Sequence, residues 1–370
     1  MKILHIGNLK SGIDTYVRNT VAVASDEFEF VIVNGGDDNS EPYLRKGKAL
    51  KQYSISMYRA LNPFKDMKAV VQAISIIRKE KPDLVHCHSA KGGVIGRFAA
   101  FLTGTKSVYT AHAFSFLSAE SRKKRKVFLL LERIARLNSS LLGCAESEKK
   151  LGVEEVGYPF QRAFAWNNAI PQIQTKDIEE PKDLPKNEKF IISIGRPSYQ
   201  KNPLLMVEIM RLVHAKHPHV RFYLIGVGFY SPMLDVTKAL ISKYGLEDCF
   251  ILCPWLNHAE TLGFLKYAQV YLTTSLYEGL PIAVLEAMAM GKAIVSSDVI
   301  GNRDCVKDGY NGFLLPMNAE LFAERICMLL ENQDERMRMG KNSYAFFESD
   351  FLIDKRIRDL ENIYKKVYSA

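Results

Sequence analysis

Residues 270–297 read VYLTTSLYEGLPIAVLEAMAMGKAIVSS. Two short apolar runs, 270–273 and 293–296, flank a helix-length stretch at 283–290. Strand, helix and strand in such close order is the signature of a parallel sheet covered by helices. The first strand ends near Thr274, which puts Glu278 on the loop at its carboxyl edge. Pro281 marks the start of the helix, where its missing N–H costs nothing. Glu286 then sits about one and a half turns inside it.

The same alternation runs outward in both directions. In the second half, strands are expected at 190–194, 221–225 and 250–252, besides 270–273 and 293–296, with helices near 204–217, 233–244, 259–267, 283–290 and 320–330. In the first half, strands at 3–6, 30–33, 84–88, 107–110 and 141–144 alternate with helices near 13–24, 67–79, 93–102 and 125–137. A stretch rich in Pro, Lys, Asp and Glu separates the halves. The reading is therefore two Rossmann-like, doubly wound parallel-sheet α/β domains: 1–172 and 189–348, joined by a linker at 173–188. Residues 349–370 form a final helix whose apolar stripe, Phe351, Ile357, Leu360, Ile363, Tyr364 and Val367, must be buried. We expect it to cross back onto the first domain. Open α/β sheets bind ligands outside the carboxyl ends of their strands, so a central cleft between the domains is the expected site.

Composition narrows the function. The 370 residues are 47% hydrophobic and 25% charged, the balance of a soluble globular protein. No run approaches the ~18 apolar residues of a membrane span, and the opening MKILHIGN reads as a buried strand, not a signal peptide. The six cysteines are scattered without a CxxC pair, which disfavours a disulfide framework or a zinc site and fits the cytoplasm. The net charge of +9 is lopsided: residues 1–170 hold 26 Lys and Arg against 16 Asp and Glu, the remainder 24 against 25. Part of the excess is the block Arg122, Lys123, Lys124, Arg125 and Lys126, which precedes an amphipathic run. That pattern suits a peripheral helix on the inner face of an anionic plasma membrane; it equally suits a solvated first helical turn. Basic residues are not interleaved with aromatics on a repeated element, so nucleic acid is not an expected partner.

The chemistry concentrates in strand-to-helix loops. Free amides at the helix start after Gly279, Leu280 and Pro281 suit a diphosphate or sugar hydroxyls. Glu286 is placed to accept from two ribose hydroxyls, and Glu278 to hold the sugar and steady positive charge at its anomeric carbon. The second loop, Gly195-Arg-Pro-Ser-Tyr-Gln-Lys201, follows the first strand of the second domain. Arg196 and Lys201 there suit the negative charge that grows on a departing nucleoside diphosphate. In the first domain, Gly12 opens the first helix, and His112 follows the strand at 107–110. The pair His86 and His88 lacks a third ligand at sensible spacing, so no metal is assigned. There is no G-x-G-x-x-G and no P-loop, which disfavours dinucleotide cofactors and P-loop NTPase chemistry.

Together these residues resemble the retaining glycosyltransferases of family 4, with the GT-B fold, over nearly the whole chain. The resemblance rests on Glu278 and Glu286 around Gly-Leu-Pro, on Gly195-Arg196 with Lys201, and on the C-terminal crossover helix. It implies metal-independent transfer from a UDP- or GDP-sugar, with no cofactor. Arg196 and Lys201 then grip the diphosphate, Glu278 faces the sugar, and Glu286 holds the ribose. Gly12 resembles the family's first-loop glycine and His112 its active-site histidine. Three places depart: Ser11-Gly12 stands where the family often has paired glycines, His112-Ala113 where it has His-Gly, and Asn168-Ala-Ile-Pro where it has Asn-Gly-Ile-Asp. The expected activity is transfer of a hexose or N-acetylhexosamine to a glycan or polyprenyl-diphosphate-linked acceptor in capsule or O-antigen type polysaccharide biosynthesis. The alternatives are a soluble relative with a small acceptor and a catalytically silent nucleotide-sugar-binding partner subunit.

Overall fold

Strands rich in Ile, Val and Leu that are buried on both faces must be covered by helices on both sides, and each half of the chain does this. The computed structural model describes residues 1–35, 41–58, 62–181, 184, 188–228 and 230–370. It divides into two compact units, Met1–Pro171 with Leu352–Ala370, and Gln172–Phe351. Residues 182–183 and 185–187 of the expected linker lie outside the described residues.

The first unit runs β1 (Lys2–Gly7), α1 (Gly12–Val23), β2 (Glu29–Gly35), a two-residue pair β3 (Leu44–Arg45) and β4 (Lys48–Ala49), β5 (Lys51–Ile55), α2 (Pro63–Glu80), β6 (Leu84–His88), α3 (Ser89–Thr103), β7 (Lys106–Thr110), α4 (Arg122–Ala135), β8 (Ser140–Gly143), α5 (Glu146–Leu151) and β9 (Ala163–Ala165). Its main sheet has the order β5-β2-β1-β6-β7-β8-β9, parallel throughout. Ala69 and Ala73 of α2, Ile95 and Ala99 of α3 and Leu129 of α4 share one core on one face of the sheet. Tyr16, Val17 and Val21 of α1 share the other with Ile353, Ile357, Leu360, Tyr364 and Val367.

The second unit runs β10 (Phe190–Ile194), α6 (Pro203–Lys216), β11 (Arg221–Val227), α7 (Leu234–Lys243), β12 (Phe250–Pro254), α8 (His258–Tyr267), β13 (Val270–Thr273), α9 (Ile282–Ala289), β14 (Ala293–Ser297), α10 (Asn302–Cys305), β15 (Gly312–Leu315), α11 (Ala319–Glu331) and α12 (Gln333–Asp350). The sheet order is β12-β11-β10-β13-β14-β15, again all parallel. The last helix, α13 (Ile353–Ser369), belongs to the first unit. Its Glu361 accepts from the Ser25 amide at 2.6 Å, its Lys365 pairs with Glu27 at 2.6 Å, and its Arg356 carbonyl accepts from the Trp166 indole at 2.9 Å.

In both sheets the strand order reverses once, between β1 and β6 in the first unit and between β10 and β13 in the second. At such a reversal the loops leave in opposite directions and open a crevice at the carboxyl edge. The loops after β10 and β13 carry Arg196 with Lys201, and Glu278, and the loop after β1 leads into Gly12, the first residue of α1. His88 ends β6, beside β1.

Candidate active site

In the second unit, the neighbouring strands β10 and β13 bring their loops together. Leu276 donates its amide to the Gln200 carbonyl at 2.8 Å, and the Thr274 hydroxyl donates to the Lys201 carbonyl at 2.9 Å. Across this joint Lys201 Nζ lies 2.7 Å from Glu278 Oε1. Ser275 Oγ donates to the same oxygen at 2.7 Å, and Gln200 Nε2 donates to Oε2 at 3.1 Å. A buried carboxylate needs such donors, and Glu278 is only 7% exposed. Behind it, the Asn302 amide donates to the Ser297 hydroxyl at 3.1 Å, and that hydroxyl donates to the Ser275 carbonyl at 2.6 Å.

Two glycines make this approach possible. Gly195 has φ +151°, and a Cβ there would come 2.9 Å from Lys201 Cε. Gly301, at φ +84°, leaves no room for a side chain: a Cβ would stand 2.4 Å from the Gly279 carbonyl oxygen and 2.8 Å from Glu278 Cβ. The structure thus joins Gly195, Lys201, Glu278 and Gly279 in one place. Arg196, on the same loop as Lys201, sets its guanidinium 5.4 Å from the Tyr230 ring centroid.

Pro281 is the cap of α9 and not its first helical residue; the helix begins at Ile282. Leu280 is buried, and the first turn of α9 carries no acidic side chain, so its positive dipole end is uncompensated there. Glu286 lies farther along, 8% exposed, with Oε1 2.8 Å from His258 Nε2. That bond raises the His258 pKa above its ordinary value. His258 opens α8, after the carboxyl end of β12. It was missing from the sequence reading, although Asn257 and Glu260 form a capping box that points to a helix start at this position.

The first unit holds the other two candidates. Gly12 is the exposed first residue of α1. His112, half-buried beyond β7, sits with its ring 5.0 Å from that of Tyr16 on the same helix. Glu148 of α5, 1% exposed, braces the histidine loop by accepting from the Ala113 amide at 2.7 Å and the Cys144 amide at 2.8 Å. Behind His112 stands a row that the sequence spacing hides. His88 Nδ1 lies 3.0 Å from His112 Nε2, and His88 Nε2 lies 2.8 Å from His5 Nδ1. His86 bonds Tyr364 at 2.8 Å and Thr110 at 2.9 Å. His5, from β1, is therefore the third histidine that the His86 and His88 pair lacked, and the ligand atoms of the three lie within 4.8 Å of one another. Tetrahedral zinc–nitrogen bonds separate ligand nitrogens by about 3.3 Å. The 2.8 Å contact of His5 with His88 is instead a hydrogen bond. Burial pulls the His5 and His112 pKa values down to about 3 and those of His86 and His88 well below the ordinary value, so the rings are neutral at physiological pH.

Two of the three departures from the family pattern fall where the backbone is left-handed. Ser11 has φ +53° and Ala113 φ +79°. The chain keeps a glycine-like conformation without the glycine, at a cost of about 1 kcal/mol for a residue bearing Cβ. Ala113→Gly is accordingly expected to raise stability by only about 0.5 kcal/mol in urea unfolding, since relief of that strain is partly offset by the added freedom of the unfolded chain.

Two Rossmann-like units, each with its loops gathered at a sheet reversal, define a doubly wound α/β class, and the comparisons with known proteins give the family. Residues 11–163 match the glycosyl transferase 4-like domain, and residues 174–346 match glycosyl transferases group 1. The UDP-Gal:alpha-D-GlcNAc-diphosphoundecaprenol alpha-1,3-galactosyltransferase of Escherichia coli is 29% identical over 321 residues, 84% of this chain and 82% of the relative. The capsular polysaccharide biosynthesis glycosyltransferase CapM of Staphylococcus aureus is 25% identical over 338 residues, 86% of this chain and 87% of the relative. Among solved structures, sucrose-phosphate synthase from Thermosynechococcus elongatus superposes with a TM-score of 0.84 at 17% identity, over 100% and 99% of the two chains. HepE of Anabaena in complex with UDP and glucose gives 0.80 at 18% identity, over 99% of each. The chain belongs to the family 4 glycosyltransferases and has the GT-B fold.

Proposed function

We propose that this enzyme is a retaining transferase that moves a hexose or N-acetylhexosamine from a UDP-sugar to a glycan carried on a polyprenyl diphosphate, in the assembly of a surface polysaccharide. The observation that carries the proposal is the Lys201–Glu278 pair at the sheet reversal, a cation and an acid at one point. In the resting enzyme each neutralises the other. An arriving diphosphate competes for the lysine, and the acid is left facing the sugar. When the anomeric C–O bond breaks, its electron pair stays on the diphosphate oxygen, where Lys201, Arg196 and the amides opening α9 stabilise it. The acceptor hydroxyl attacks the anomeric carbon from the face that the diphosphate leaves, and its proton passes to the departing oxygen. Attack on that face retains the anomeric configuration. Protein cations do the work that a metal does elsewhere, so no ion is required. The names of the Escherichia coli and Staphylococcus aureus relatives support the lipid-linked acceptor and the polysaccharide context.

The test is incubation with a panel of UDP- and GDP-sugars and a synthetic polyprenyl-diphosphate sugar, in the presence of EDTA, with the product read by NMR. An α-linked product from an α-linked UDP-sugar is expected. A β-linked product, or dependence on added metal, contradicts the proposal.

Glu286 is assigned to the ribose, which then competes with His258. The sign follows from the raised histidine pKa: below it the imidazolium holds Glu286, and above it the pair loosens. UDP is therefore expected to bind more tightly as pH rises through the histidine's titration, and His258→Ala to flatten that dependence. Calorimetric titration across the range reads both.

The membrane reading gains a physical argument from α4. Its first five residues are all basic, at the helix end where the macrodipole disfavours cations. Val127, Leu130, Leu131 and Ile134 of the same helix are exposed, as are Phe64 and Met67 of α2 and Leu102 of α3, in the layer that covers one face of the sheet. Basic and apolar residues side by side suit an anionic lipid surface. Co-sedimentation with phosphatidylglycerol vesicles is expected at low salt, weakening as salt rises. Leu130→Ser with Ile134→Ser is expected to abolish it; binding unchanged by those substitutions contradicts the assignment.

A further inference from the structure

The row His112–His88–His5 has a proton arithmetic that fixes what His112 offers. Three neutral imidazoles carry three protons on six nitrogens, and each of the two inter-ring bonds, at 3.0 and 2.8 Å, holds one. Two arrangements of the row remain. In the first, His112 carries its proton on Nδ1, His88 donates from Nδ1 to His112 Nε2, and His5 donates from Nδ1 to His88 Nε2; His5 Nε2 is bare. In the second, every bond runs the other way, and His5 Nε2 bears a proton.

The inner end decides between them. His5 is fully buried, its Nε2 has no hydrogen-bond partner, and its ring lies 5.6 Å from that of Phe30. A buried N–H without an acceptor is rarer in proteins than an acceptor without a donor. The second arrangement strands an N–H; the first leaves only a lone pair. Tyr16, edge-on to His88 and His112, and His86, which bonds Tyr364 and Thr110, hold the rings in place without entering the row.

We propose that His88 and His5 are positioning residues that lock His112 as its Nδ1–H tautomer, so that its remaining ring nitrogen is a hydrogen-bond donor and not a base. The partner of one ring nitrogen sets the tautomer of the other, and here that control extends through a second ring to an orphaned nitrogen in the core. The effect on turnover rests on the function proposed above; the tautomer does not. A His112 so locked has no lone pair on Nδ1 with which to take a proton.

Long-range proton–nitrogen correlation spectra of the enzyme, labelled with nitrogen-15 histidine, read the tautomer directly and need no variant. A proton-bearing Nδ1 and a bare Nε2 on His112 are expected; a proton-bearing Nε2 overturns the proposal. His88→Phe removes the bond to Nε2 and is expected to give a mixed tautomer and a kcat lower on the order of tenfold to a hundredfold. His88→Asn places its amide nitrogen near the lost Nδ1 and is expected to restore most of both. Loss of turnover in both variants with the His112 tautomer unchanged assigns His88 a purely structural role and also overturns the proposal. If the tautomer is as expected but His112→Ala transfers sugar at the wild-type rate, a part for His112 in the proposed function fails and the tautomer proposal stands.

Discussion

Glu278→Gln is expected to lower kcat by about 10²- to 10³-fold or more while the protein stays folded. The substitution keeps the shape of the side chain. With its oxygen in the Oε1 position the amide still accepts from Ser275; its NH2 takes the place of Oε2, so the bond from Gln200 is lost along with the charge opposite Lys201. The lysine is 23% exposed, so water replaces the missing partner at a cost of about 1 kcal/mol. What cannot be replaced is a fixed negative charge beside an anomeric carbon that becomes positive. Transfer assays with circular dichroism check both halves of the statement. Undiminished turnover removes the catalytic assignment of Glu278.

Lys201→Met combined with Arg196→Ala is expected to reduce kcat/KM for the donor by on the order of 10³-fold, with kcat carrying most of the loss. The charge that these side chains oppose is larger in the transition state than in the bound donor, because the leaving oxygen gains an electron pair only as the bond breaks. Binding of UDP should weaken while that of uridine, which has no phosphate, should stay at the wild-type level. Equal losses for both ligands would mean that the loop had merely collapsed. That outcome is disfavoured because the loop is held by its backbone as well, through the Gly195 amide to Ile225 at 2.8 Å and the Leu276 amide to Gln200 at 2.8 Å.

Alternation of apolar runs with helix-length segments was enough to read two parallel sheets, because a strand buried on both faces has almost no freedom in composition. The strands Lys51–Ile55, Ala163–Ala165 and Gly312–Leu315 were not legible. The second spans only three residues, and the first carries Lys and Gln at the sheet edge, where burial is partial. The helix read at 125–137 starts instead at Arg122, so the basic block forms its first turn; Ser121 caps it by accepting from the Lys124 amide.

At the site, Lys201 and Glu278 were visible as loop residues, yet their contact depends on β10 lying beside β13, which is a property of sheet order and not of sequence. Gly301 is invisible for the same reason: it matters because Gly279 passes 22 residues earlier in the chain and arrives against it. His5 and His88 are 83 positions apart, and only the pairing of β1 with β6 makes them neighbours. Chemistry written within one loop is legible; chemistry assembled across strands becomes so once the topology is known.

A crystal structure of the enzyme with UDP bound tests the central claim most directly. The account predicts a diphosphate oxygen within hydrogen-bond distance of Lys201 Nζ and the Glu278 carboxylate turned toward the place of the missing sugar. UDP seated elsewhere, with the 2.7 Å pair of Lys201 and Glu278 undisturbed, would contradict it.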